Sequence, residues 1–135
     1  MSVKERIKQH EGLMTKPYYC TEGKLTIGYG RNLEHGITED EADYLFENDF
    51  DRARNGAELF RGYHELNDIR QGVVIEMDFQ MGVAGVEKFK NFWLAVQDHD
   101  WSRAAEEMLD SKWAKQTPER AKELARLFLR GVSER

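Results

Sequence analysis

Three residues able to move a proton, hold a water or attack an electrophile stand near the start of the chain: Glu11, Cys20 and Thr26. Glu11 ends an amphipathic segment. Ser2-Val3-Lys4-Glu5 has the pattern of a capping box, in which hydroxyl and carboxylate satisfy each other's backbone donors. Val3, Ile7 and Glu11 recur at every fourth position, so they project from one helix face. Gly12 then reads as a left-handed stop. The spacing predicts a carboxylate at the C-terminal end of a helix, on the face turned inward. There burial and the negative end of the helix dipole both resist ionisation, and functional groups often occupy such positions.

Cys20 and Thr26 fall on the next element. Pro17-Tyr18-Tyr19 and Lys24-Leu25-Thr26-Ile27 are β-prone runs joined by Cys20-Thr21-Glu22-Gly23, which predicts a hairpin. Leu25, Ile27 and Tyr29 alternate with Thr26, Gly28 and Gly30, so Thr26 belongs to the face opposite the aliphatic residues. The two glycines strip that face and allow close approach to the backbone. A bare face with a hydroxyl beside a helix end with an acid has the makings of a cleft.

The remaining elements must hold these pieces. Arg31 to Glu34 reads as a third short strand ending near Gly36. Thr38-Glu39-Asp40-Glu41 is a second capping box, opening a helix with Ala42, Leu45, Phe46, Phe50 and Ala53 apolar and Gly56 as its stop. A helical turn is expected between Ala57 and Tyr63. Asn67 caps a helix whose Ile69, Val73, Val74, Met77, Phe79 and Met81 leave few polar faces, as in a buried central helix. Asp78 and Gln80 are polar exceptions near its end. Beyond Gly82 and Gly85 the helical spacing continues through Phe92, Trp93 and Val96. Asp100 caps a segment through Met108, and Thr117-Pro118 opens a last helix that Gly131 closes.

Composition narrows the function classes. At 135 residues, one domain is expected. Hydrophobic residues at 40% supply a core, and no apolar run approaches the length of a membrane span. The N-terminus has charges but no following apolar block, unlike a secretory signal. One cysteine excludes an internal disulfide. His10, His35, His64 and His99 lack ligand spacing, so no metal is expected, and Gly28 and Gly30 alone make no phosphate loop. Net charge is −5, yet residues 34–58 carry −7 and residues 112–135 carry +4. The basic end lacks the interleaved aromatics of a nucleic-acid surface.

The run Glu11-Gly12-Leu13, then Cys20, then Thr26-Ile27-Gly28-Tyr29-Gly30 resembles the catalytic signature of the phage-type lysozymes, the endolysin muramidases of glycoside hydrolase family 24. The likeness continues in Asp78-Phe79-Gln80-Met81-Gly82 and from Trp113 through Thr117-Pro118-Glu119-Arg120 to Lys122, in order along nearly the whole chain. It implies an α+β, lysozyme-like fold: a sheet-containing N-terminal lobe over about 12–56, a helical lobe over about 57–135 on which the first helix packs, and a cleft between. It also implies cleavage of the β-1,4 bond between N-acetylmuramic acid and N-acetylglucosamine in peptidoglycan, without a cofactor. Without an export signal, the resemblance further implies a monomer held in the host cytoplasm until a holin-type partner, or the virion, delivers it to the wall.

Site roles follow from the same likeness. Hydrolysis of a glycosidic bond needs an acid for the leaving oxygen and a group across the ring that handles water or attacks the anomeric carbon. Glu11 is the expected acid, with Cys20 and Thr26 across from it. Asn32, Phe79, Gln80 and Arg120 are the expected substrate contacts, Arg120 lying close to Glu11. Phe79 and Gln80 could equally be core and helix cap. Cys20 departs from the T-even type, which has Asp there. A free thiol is only about 3% ionised at pH 7, so Lys16 or a backbone donor must compensate if a thiolate is used. Either Cys20 and Thr26 position water and invert the anomeric carbon, or the thiolate attacks it. Arg31 stands where the family usually has His, and Glu22 and Lys112 match a pair at the cleft mouth. The rival readings are a non-hydrolytic wall binder and a helical interaction domain keeping only the scaffold.

Overall fold

The helical start is made by the first capping box. Ser2 Oγ accepts from the Glu5 amide at 3.1 Å, and the Ser2 amide donates back to Glu5 Oε2 at 3.4 Å. The computed structural model describes residues 1–133, and in it this box opens helix α1 (Val3–Glu11). Strands β1 (Met14–Tyr19), β2 (Leu25–Gly28) and β3 (Arg31–Asn32) follow, then a 3-10 turn at Leu33–His35. The helices are α2 (Glu39–Ala57), α3 (Asp68–Glu87), α4 (Lys90–Gln97), α5 (Trp101–Leu109), α6 (Lys112–Gln116) and α7 (Pro118–Arg130). A small sheet followed by helices is the α+β, lysozyme-like class expected. Among the described residues, no helix is long and apolar enough to cross a membrane.

The strands form one antiparallel sheet in the order β1-β2-β3, with Tyr18 opposite Thr26 and Thr26 opposite Asn32. A tight turn closes the first hairpin: the Gly23 amide donates to the Cys20 carbonyl and the Cys20 amide to the Lys24 carbonyl, both at 2.9 Å. Thr26 and the aliphatic residues of β2 lie on opposite faces as expected, but the face expected to be bare is the covered one. Thr26 is buried at 4% exposure while Leu25 and Ile27 are only partly covered. Burial of the hydroxyl-bearing residue is tolerated because the hydroxyl has a partner, its proton going to the Lys24 carbonyl at 2.8 Å.

The chain divides into two compact units, Met1–Leu45 and the segment from Phe46 onward. The division falls inside α2. In the first unit Arg31 of β3 grips Glu41 of α2 with a two-pronged ion pair, Nη1 to Oε1 at 2.9 Å. Glu41 also accepts from the Thr38 amide at 2.9 Å, completing the second capping box. Arg31, foremost of these partners, holds the Glu41 carboxyl down at about 2. The folded value lies below the unfolded one, so this contribution is present above the ordinary carboxylate range and disappears as pH falls through about 2. Arg31→Ala should therefore raise the pH at which the chain unfolds in acid titration followed by circular dichroism, and salt should shrink the difference.

In the second unit, Val73, Val74 and Met77 of α3 pack with Val86, Phe92, Trp93, Val96, Met108, Trp113, Leu124 and Phe128. Phe92 lies 4.9 Å from Trp93 and 5.1 Å from Phe128, ring centre to centre. Asn67 and Asp100 cap α3 and α5 as expected, accepting from the Arg70 and Arg103 amides. Arg70 closes the far end of α7, donating to the Phe128 and Leu129 carbonyls at 2.7 and 3.1 Å while stacking on Trp101. Thr117 is a correction: its hydroxyl does not cap α7 but turns back to the Trp113 carbonyl at 3.1 Å. Two residues near the end of α3 differ in burial from what their polarity alone would suggest. Phe79 is 40% exposed, whereas Asp78 is buried.

Candidate active site

Glu11 is the last residue of α1, and the helix ends because Gly12 adopts φ 74° and ψ 157°. That is an extended, positive-φ stop rather than the left-handed one expected, and it closes on the Lys8 carbonyl at 2.8 Å. Helix α1 buries none of its residues. Val3 and Ile7 are more than half exposed, and Glu11 is exposed with them. The inward face predicted from the four-residue spacing is therefore not buried; two apolar side chains on nine polar-rich residues leave it accessible.

What positions the acid is the turn between β2 and β3. The Glu11 carboxyl lies directly over Gly30, whose φ is +74°. A Cβ at Gly30 would stand 2.9 Å from Glu11 Cδ and closer still to Oε2. The glycine thus serves two needs at once, a backbone conformation costly for other residues and space for a carboxyl. The sequence flagged Gly30 as a point of close approach; the group that approaches is Glu11. Gly30→Ala is expected to cost about 1–2 kcal/mol in stability through its backbone alone. It should also displace Glu11, so that activity falls by more than the unfolded fraction explains when the two are measured in parallel.

Cys20 sits at the mouth of the β1–β2 turn, partly buried. Its thiol is held below the ordinary cysteine value, chiefly by a backbone hydrogen bond from Lys24, then by one from Glu22. Burial opposes this, the Thr26 side chain adds to it, and the Glu22 carboxylate opposes it. Backbone donors therefore supply the compensation that the sequence asked of Lys16 or the main chain. Thr26 and Cys20 are brought together by the register of the hairpin. The Thr26 hydroxyl lies within reach of both the Cys20 thiol and the Lys24 carbonyl, to which it donates at 2.8 Å, and its oxygen keeps lone pairs for an incoming O–H.

Each of the other expected site residues has a partner within its own unit. Asn32 Oδ1 accepts from the Glu34 amide at 2.9 Å and caps the 3-10 turn. Gln80 accepts from Trp113 Nε1 at 2.8 Å and donates to Thr117 Oγ1 at 3.4 Å, tying α3 to α6 and the start of α7. Phe79 packs on Phe46 at 5.5 Å between ring centres. Arg120 donates from Nε to Glu76 Oε2 at 2.8 Å, and both line a cavity of about 290 Å³ with Phe46, Phe50, Gly72, Ile75 and Phe79. Glu76 was not singled out from the sequence, since its partner lies 44 positions away and no periodicity links them. Among the described residues, no group of three or more His, Cys, Asp or Glu side chains could hold a metal ion.

Comparison with known proteins supplies the family. The phage lysozyme family profile matches residues 8–134. The chain is 34% identical over 151 aligned residues to "Probable T4-type lysozyme 1" of Dictyostelium discoideum, covering 89% of each chain. It is 32% identical to "Pre-baseplate central spike protein Gp5" of Enterobacteria phage T4, over 97% of this chain and 28% of that protein. It is 28% identical to "Peptidoglycan hydrolase gp36" of Pseudomonas phage phiKMV, over 87% of this chain and 14% of that protein. With the profile matching almost the entire chain and a lysozyme-named relative 34% identical over 89% of both chains, this protein belongs to the phage lysozyme family.

Proposed function

We propose that the protein hydrolyses peptidoglycan, and more narrowly that it is a muramidase cutting the β-1,4 bond between N-acetylmuramic acid and N-acetylglucosamine. Family membership and the peptidoglycan-hydrolase name of one relative support the broad reading. The observation that carries the mechanism is the Cys20–Thr26 pair: a thiol with lowered affinity for its proton beside a hydroxyl oxygen with free lone pairs.

In this reading Glu11 protonates the leaving glycosidic oxygen. Cys20 and Thr26 hold a water on the opposite face of the sugar, Cys20 drawing its proton as the oxygen attacks the anomeric carbon. Attack by water in one displacement inverts that carbon. Asn32, Phe79, Gln80 and Arg120 are proposed to contact the glycan. Lysis of a host cell, with delivery by a separate permeabilising protein, is the biological setting that fits this chemistry.

The test is turbidity loss of outer-membrane-permeabilised bacteria with the native chain, Glu11→Gln and Cys20→Ser. Native lysis abolished by Glu11→Gln supports the hydrolase. Pelleting with purified wall in the absence of any lysis would replace it with a wall binder.

A further inference from the structure

Both carboxylate oxygens of Asp78 are closed off from solvent and neither has a hydrogen-bond partner. Oδ2 lies against Gly56 of α2, where an added Cβ would stand 2.6 Å from it and 2.6 Å from Val83 Cγ2. The missing side chain of Gly56 is what admits an acid between α2 and α3. Beside it is a cavity of about 290 Å³, walled by Asp49, Arg52 and Ala53 of α2 and by Asp78, Phe79, Gly82 and Val83 of α3. Asp49 and Arg52 are the charged groups facing Asp78 across this cavity; its α3 neighbours there are uncharged. Arg52 pairs with Asp49 at 3.2 Å and its side chain is 78% exposed. Helix α3 kinks at Gly82, with φ 78° and ψ 164°, one turn beyond the acid.

We propose that Asp78 and Arg52 form a proton-operated latch between α2 and α3. In its neutral form the acid closes against Gly56; as a carboxylate it swings through the cavity to Arg52. An ionised carboxylate without a partner is costly to keep buried, whereas the neutral acid is far less so. Burial accordingly pushes the Asp78 carboxyl above its ordinary range. Arg52 can change partners readily, because an exposed pair three residues apart on one helix holds weakly. The Gly82 kink gives the segment a place to bend. Phe79 and Gln80 directly follow Asp78 and move with it, so the latch makes their placement depend on pH.

Two measurements on the full chain test this. Carbon-detected titration should show Asp78 losing its proton above the surface carboxylates. Hydrogen exchange over residues 78–86, corrected for intrinsic pH dependence, should show protection falling roughly tenfold or more across the same range. Asp78→Asn should flatten that profile, and Arg52→Ala should move the titration upward and lessen the fall. If Asp78→Asn fails to fold, the native titration and Arg52→Ala decide. Titration of Asp78 together with the surface acids would overturn the latch. So would one exchange profile shared by native and Asp78→Asn, or an Arg52→Ala variant that leaves both readouts unchanged.

Discussion

Glu11→Gln is expected to lower the rate of wall lysis by roughly 10²–10⁴-fold, the usual contribution of a positioned general acid. The amide keeps the shape of the side chain over Gly30 but has no proton to give to a departing sugar oxygen. Glu11 is exposed and has no basic partner within residues 1–45, so melting should move by no more than about 0.5 kcal/mol. A large kinetic effect with almost no thermodynamic one separates a chemical role from a structural one. Cys20→Ser should fall between native and Glu11→Gln, because a serine hydroxyl can still hold water but ionises far less readily. Loss in Cys20→Ser as complete as in Glu11→Gln, together with a retained anomeric configuration, would favour attack by the thiolate itself.

The second large effect is a gain. Asp78→Val removes a buried carboxyl whose two oxygens have no partner, and relieving such a group is expected to stabilise the chain by about 1–3 kcal/mol at neutral pH. The pH dependence has a definite sign. The folded value of Asp78 is raised above the unfolded one, with burial as the cause. Below the ordinary aspartate range the native chain is spared the cost of burying the charge, and it loses stability as pH rises through the folded value. The advantage of Asp78→Val should be greatest at neutral pH and shrink in acid, where only the cost of burying the neutral acid remains. Glu41 has the opposite sign, so the first unit is weakened by acid while the second is weakened by its removal. Urea melts of native, Asp78→Val and Arg31→Ala at several pH values would resolve the two slopes.

Local logic was legible in the sequence, and non-local logic was not. Ser2 with Glu5, Thr38 with Glu41, and the Asn67 and Asp100 caps all act over three residues, where spacing alone dictates contact. The Cys20–Gly23 turn was readable for the same reason. Thr117 broke the rule because its hydroxyl had a competing acceptor one turn back, the Trp113 carbonyl. Thr26 was assigned to a bare face from strand alternation, which says which side chains share a side but not which side is covered. Asp78 sits among Val73, Val74 and Met77, and nothing in helical periodicity distinguishes a tolerated buried acid from an exposed one. Its placement depends on Gly56, more than twenty positions earlier. The Arg31–Glu41 and Arg120–Glu76 pairs likewise join residues that only the fold brings together. Of the candidate site, the hairpin pair and the acid at the end of α1 could be read in advance; the seat of that acid on Gly30 could not.

The proposed cleavage on the muramic acid side of the glycan can be read directly from the products. Purified peptidoglycan digested by the native chain, reduced with borohydride and analysed by mass spectrometry should yield fragments ending in reduced N-acetylmuramic acid, and Glu11→Gln should yield none. Fragments ending in reduced N-acetylglucosamine, or new peptide termini with the glycan intact, would contradict muramidase action.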